Sequence, residues 1–155
     1  MILVLCGTQN HQFKRLIEES KKLLQYDSKI IVQAGHTRYQ DEDLEIFDFM
    51  DSKDLELIYD QADWIITHAG AGSLIKGIRR NKKIIAFPRL EKYHEHVNDH
   101  QIELTTQLSK KGYVIAFEDG NDICELYEKN IDFVASEYNE PSNIIEIVEE
   151  FLKEV

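Results

Sequence analysis

A chain of 155 residues with 43% hydrophobic content has the size and composition of one domain with a full core. Its net charge of −11 sits in the tail, where 12 acids meet 2 bases from Glu118 onward, and this balance argues against nucleic acid, whose phosphates are bound by Lys and Arg. Two cysteines, Cys6 and Cys124, are too few for a disulfide framework or a cysteine zinc site, and without a bilayer-length apolar window or a signal-peptide pattern the chain reads as soluble and cytoplasmic.

Met1 to Cys6 is a continuous apolar run bounded by Gly7-Thr8, as in a strand buried on both faces of a parallel sheet. From Asn10 the apolar residues Phe13, Leu16, Ile17, Leu23 and Leu24 recur near helical spacing and predict a helix to about Gln25, broken by Asp27-Ser28. Lys29 to Ala34 is a second buried strand, and Leu44 to Met50 alternates apolar residues with acids as a third. Asp51 or Ser52 caps a helix through Gln61. Trp64 to Thr67 is a fourth strand, followed by a glycine-broken turn and a helix to about Arg80 with a basic last turn.

Lys83 to Phe87 is a fifth strand, stopped by Pro88. A helix is predicted over His96 to Lys110 and a sixth strand over Tyr113 to Phe117. Two acidic helical stretches follow, near Asn121 to Asn130 and Ser142 to Lys153. The last has a capping pattern, Asn143 with Glu146, and a wide apolar face that includes Ile144, Val148, Phe151 and Leu152. That face packs on the chain's own sheet or docks on a second polypeptide. Alternating strands and helices make the whole chain, 1–155, a single Rossmann-like α/β domain with a doubly wound parallel sheet of about six strands.

Ligands of such sheets bind at the carboxyl ends of the strands. Gly7-Thr8-Gln9 after the first strand and His68-Ala69-Gly70-Ala71-Gly72-Ser73 after the fourth share that edge. Backbone amides at the second turn form a seat for an anion, although Gly70-Ala71-Gly72 alone reads equally as a tight turn for helix-on-sheet packing. Seven bases (Lys76, Arg79, Arg80, Lys82, Lys83, Arg89, Lys92) against Glu91 make the following segment locally positive. An anionic small molecule fits these features. A dinucleotide fingerprint is absent, since the first turn has one glycine and the second strand ends in Gln33-Ala34 without an acid. No P-loop sequence occurs either. His94, His96 and His100 suggest a metal, but the acid of a zincin is missing between His96 and His100, and no metal is expected.

In order and spacing, Gly7-Thr8, His11, Phe13, Arg15-Leu16-Ile17, then His68 to Ser73, Pro88-Arg89, Glu95-His96, Asp99-His100-Gln101 and Glu103-Leu104 together resemble the glycosyltransferase family 28 C-terminal domain. The resemblance covers about Met1 to Leu108 and is strongest to stand-alone donor-binding subunits, in the dolichol-pathway N-acetylglucosaminyltransferase and in bacterial capsule and exopolysaccharide synthesis.

This resemblance implies the C-terminal half of a GT-B enzyme: a UDP-sugar-binding catalytic subunit, without a metal or other cofactor. Its implied partners are a membrane-associated acceptor-binding subunit, which recruits it to the membrane, and a lipid-linked acceptor. It is similar to inverting hexosyltransferases that extend a polyprenyl-diphosphate-linked saccharide, with the general base expected on the partner. The implied donor-binding residues are Gly7, Thr8, His68, Ala69, Gly70, Ala71, Gly72, Ser73, Arg89, Glu95, Asp99, His100 and Gln101. Arg89 reads as an anion or acceptor contact or as an exposed charge. His11 is the candidate catalytic residue, acting on the transferring group or orienting Thr8; otherwise it is a capping or surface histidine. Lys76 stands where the related enzyme acting on lipid-linked muramyl peptide has a ribose-holding glutamate, so ribose is held elsewhere or nucleotide preference differs. The alternative to an enzyme subunit is a non-catalytic nucleotide-sugar-binding or partner-stabilising module.

Overall fold

The computed structural model describes residues 1–137 and Val148. Six strands form one sheet in the order β3-β2-β1-β4-β5-β6, every neighbouring pair parallel. They are β1 (Ile2–Leu5), β2 (Ile30–Gln33), β3 (Glu45–Phe47), β4 (Trp64–Thr67), β5 (Lys83–Ala86) and β6 (Ile115–Ala116). The helices are α1 (Lys14–Lys21), α2 (Ser52–Gln61), α3 (Ala71–Arg79), α4 (His100–Lys110) and α5 (Ile123–Lys129).

Strand periodicity divides the core into two layers. Ile2, Val4 and Cys6 pack with Phe13, Leu16 and Ile17 at α1 and with Ile123 and Tyr127 of α5. Leu3 and Leu5 face the other way, against Tyr59 of α2, Leu74 and Ile78 of α3, and Leu104 and Leu108 of α4. Helices on both faces explain why β1, β2 and β4 are apolar at almost every position. Val148, the one described residue of the expected final helix, is buried in the second layer; the rest of that stretch lies outside the described residues.

Two helices start later than their apolar spacing suggests. Residues 7–12 form a loop, and α1 begins at Lys14. Ahead of α4, His94 has a left-handed backbone (φ 58°), His96 Nδ1 accepts from the Asn98 amide at 3.2 Å, and Asn98 Oδ1 accepts from the His100 amide at 3.0 Å. These local bonds compete with helix and delay it to His100. A short 3-10 turn at Glu91–Tyr93 also precedes α4. β3 and β6 are shorter than the stretches Leu44 to Met50 and Tyr113 to Phe117. The capping of α2 is as expected, with the Asp51 carboxylate accepting from the Lys53 amide at 2.8 Å.

The chain runs from β1 outward to β2 and β3, then returns to the other side of β1 as β4. Strand order therefore reverses between β1 and β4, and the loops after these strands flank a crevice at the carboxyl edge.

Candidate functional site

At that crevice lies a cleft of about 340 Å³, lined by Gly7 and Thr8 after β1, by His68 and Gly70 to Ser73 after β4, by Phe49, Met50, Leu55 and Tyr59 beside it, and by Gln33 and Lys76. The volume is that of a small-molecule site. Seven of the nine positions in the two expected stretches thus meet in one concavity; Gln9 does not line it, and Ala69 is buried with φ 63°.

His68 sets the geometry of the floor. Its ring is buried, and Nδ1 lies 3.2 Å from the Leu5 carbonyl, an oxygen that only accepts, so Nδ1 carries the proton and Nε2 the lone pair. Burial, helped by the positive charge of Arg89, pulls the imidazole down to a pKa of about 4. The ring is neutral at physiological pH. It occupies the space beside Gly7 and Gly70, where a Cβ would come within 2.5 and 2.1 Å of Nε2. Gly7 also needs its freedom for φ 80°.

Gly70 is the N-cap of α3, and the first bond into the helix runs from the Leu74 amide to the Gly70 carbonyl at 3.0 Å. The amides of Ala71, Gly72 and Ser73 precede that bond and have no capping side chain. Gly72 adds open space, since a Cβ there would meet nothing within 4 Å. Three amides at the positive end of a helix beside an open glycine are suited to an anion's oxygens.

The remaining expected site residues do not line this cleft. Arg89 is neither exposed nor directed at it: its guanidinium is buried and donates to the carbonyls of Cys6, His11 (2.8 Å) and Glu95 (3.0 Å). A charge removed from water must be so bonded. Glu95 is buried as well, held by Arg15 through bonds of 2.9 and 2.7 Å and by the Leu90 amide at 3.0 Å. Gln101 accepts from the Arg89 amide at 3.1 Å, and Asp99 accepts from the Glu91 amide at 2.9 Å. His100 opens α4. His11, half-buried in the β1 loop, contributes its carbonyl to Arg89. These residues brace the rim behind the cleft.

The basic segment is dispersed rather than gathered. Arg80 binds Glu56 and Asp60, Lys82 the Asp60 carbonyl, Lys83 the Ile131 carbonyl, and Lys92 Asp119. Lys76 is the base that lines the cleft. His96 Nε2 lies 3.2 Å from the Gln9 amide; among the described residues no three His, Cys, Asp or Glu side chains are placed to share a metal ion. No described helix is long and apolar enough to cross a membrane.

Reading the sequence alone misses Gln33 and the wall of Phe49, Met50, Leu55 and Tyr59. Phe49 carries the one usable signal, a large apolar residue that is 54% exposed once the third strand ends at Phe47.

Comparison with known proteins identifies relatives of the chain as a whole. The family model described as the glycosyltransferase family 28 C-terminal domain matches residues 1–153. The UDP-N-acetylglucosamine transferase subunit ALG13 of Mus musculus is 35% identical over 71 residues, 46% of this chain and 6% of the mouse protein. That of Debaryomyces hansenii is 29% identical over 120 residues, 68% of this chain and 53% of the yeast protein. The chain therefore spans about half or less of these curated relatives. Among solved structures, the NMR solution structure of ALG13 aligns with a TM-score of 0.65 at 21% identity, covering 97% of this chain and 96% of that one. CalG4, the calicheamicin glycosyltransferase, aligns with a TM-score of 0.61 at 11% identity, covering 98% of this chain and 38% of that one. The fold is thus one that GT-B glycosyltransferases contain, and with the family match running almost end to end, the chain belongs to the glycosyltransferase family 28 C-terminal domain.

Proposed function

We propose that this chain is the donor-binding, catalytic subunit of a two-component inverting glycosyltransferase. It binds a UDP-sugar and passes the hexose to a polyprenyl-diphosphate-linked saccharide in surface polysaccharide synthesis. A membrane-associated partner supplies the acceptor site and recruits the chain to the cytoplasmic face of the membrane. The observation that carries the reading is the cleft between β1 and β4, into which the first-turn amides of α3 and the open side of Gly72 are brought together.

In this reading the diphosphate lies over Ala71, Gly72 and Ser73, with the Ser73 and Thr8 hydroxyls as further donors. Departure of UDP concentrates negative charge on its terminal phosphate. Fixed amides and the positive end of α3 are already oriented toward that charge and stabilise it as it develops. No metal is required for this step. The neutral His68 ring forms the floor beneath Gly7 and Gly70. Inversion requires that a base remove the acceptor's proton on the far side of the sugar, and we assign that base to the partner. His11, on the β1 loop, is proposed to act on the transferring group from this chain's side.

Titration calorimetry with UDP and co-expression with the partner test the proposal. The chain binds UDP, Gly72→Asp abolishes binding without unfolding the protein, and transfer is weak alone but restored by the partner. In the reconstituted pair His11→Ala lowers turnover while leaving UDP affinity intact. Unchanged UDP affinity in Gly72→Asp removes the phosphate seat, and full transfer by the isolated chain removes the two-component arrangement.

A further inference from the structure

The cleft has no carboxylate among its described lining residues, and beside the neutral His68, Lys76 is the one basic side chain among them. Lys76 is half-buried and lies one turn beyond Ser73 on α3. Among the described residues no ion pair takes its ammonium, and Glu56 and Asp60 on α2 are both bound by Arg80. Helical side chains lean toward the N-terminus of their own helix. Lys76 and Gly72 lie four positions apart on one face of α3, and a Cβ at Gly72 would meet nothing within 4 Å, so the space over this turn is open to the Lys76 side chain.

This placement bears on what the cleft can distinguish. A pair of ribose hydroxyls is gripped best by a carboxylate, which accepts from both; an ammonium only donates and interacts most strongly with an anion. An ammonium without a counter-charge also gains from a ligand that brings one. We propose that Lys76 is a specificity-determining residue of the cleft, an ammonium clamp on the diphosphate, so that the nucleotide is selected by its phosphate charge and only slightly by its ribose 2′-hydroxyl. The proposal rests on the nucleotide reading of the cleft given above.

Calorimetric titration of the full chain with UMP, UDP and 2′-deoxy-UDP, repeated on Lys76→Met and Lys76→Arg, tests it. Methionine keeps the stem and the helix propensity, so the melting temperature of the variant stays near that of the parent. The parent chain binds UDP at least tenfold tighter than UMP, and binds UDP and 2′-deoxy-UDP within about threefold of each other. Lys76→Met weakens UDP about tenfold, flattens its salt dependence and narrows the gap to UMP, while Lys76→Arg restores most of the affinity. A Met variant that binds UDP within twofold of the parent overturns the clamp and leaves the nucleotide reading standing. A parent that prefers UDP to 2′-deoxy-UDP by more than tenfold, with that preference lost in Lys76→Met, also overturns the clamp and makes Lys76 a ribose contact. Absence of binding by all three nucleotides overturns the clamp and the nucleotide reading together.

Discussion

The imidazole of His68 stands where a side chain on Gly70 would have to be, with Nε2 only 2.1 Å from the Cβ position. A methyl group at Gly70 must displace a ring that is buried and bonded to the Leu5 carbonyl. Gly70→Ala is therefore expected to cost about 1–3 kcal/mol of stability, the usual penalty of overpacking, and to lower UDP affinity because the ring supports the turn at the start of α3. Two positions on, Gly72→Ala meets nothing within 4 Å and gains about 0.5–1 kcal/mol as a helical Gly-to-Ala change. Urea denaturation of the two variants gives opposite signs if His68 and Gly70 are related in this way.

Arg89 is a bracing residue, and its removal should be felt in stability before it is felt in chemistry. Arg89→Met leaves the Cys6, His11 and Glu95 carbonyls without their shared donor, a loss of about 3 kcal/mol or more for buried polar groups. Lysine does not rescue it, since one ammonium lacks the planar fork that reaches all three. Chemical denaturation of Arg89→Met and Arg89→Lys checks this, and equal stability of Arg89→Lys and the parent would contradict it.

The depressed pKa of His68 fixes a direction of pH dependence. In the unfolded chain the ring takes up a proton near its ordinary value of 6.5, whereas in the fold it resists protonation down to about 4. The unfolded state therefore binds more protons between these values, and stability falls as pH drops from about 6.5 toward 4. Burial moves the half-buried His96 in the same direction. Below this window Asp27 and Asp41, whose carboxyls are held low by the amino terminus and by Lys21, lose their contributions too. Melting curves from pH 8 to 4 should show the decline, with a shallower slope in His68→Asn.

Cys6 directly follows β1 and is buried, with its thiol pushed up to about 12 by that burial, and burial raises the half-buried Cys124 as well. Neither supplies an appreciable thiolate at pH 8 in the folded protein. Alkylation there should be slow for both cysteines, slowest for Cys6, and fast for both in urea. Quick labelling of Cys6 in the native protein would mean that the core at the carboxyl end of β1 opens.

Much of this architecture can be read from residue order, for identifiable reasons. β1, β2, β4 and β5 are covered on both faces, so they are nearly unbroken apolar runs, and the Gly70 to Ser73 turn lies directly between one of them and a helical pattern. The rim is harder to read because its partners are remote in the chain. Arg89 reaches Cys6 across 83 positions and His11 across 78, and Arg15 reaches Glu95 across 80. An arginine, a glutamate and a glutamine near a glycine turn look like ligand contacts until these pairings are known. Phe49 shows the converse. Its apolar side chain reads as strand interior, yet β3 ends at Phe47 and leaves it on the cleft wall.

A single guanidinium joins the loop behind Gly7 to the bend that leads into α4. Length in either segment is consequently a shared property: one residue inserted between Gly7 and His11 would draw a carbonyl away from Arg89 and shift Glu95 on the opposite bank. This margin of the sheet should accept new loop lengths poorly, so variants made to alter its ligand are better sought by exchanging open lining residues such as Gly72 than by grafting longer segments.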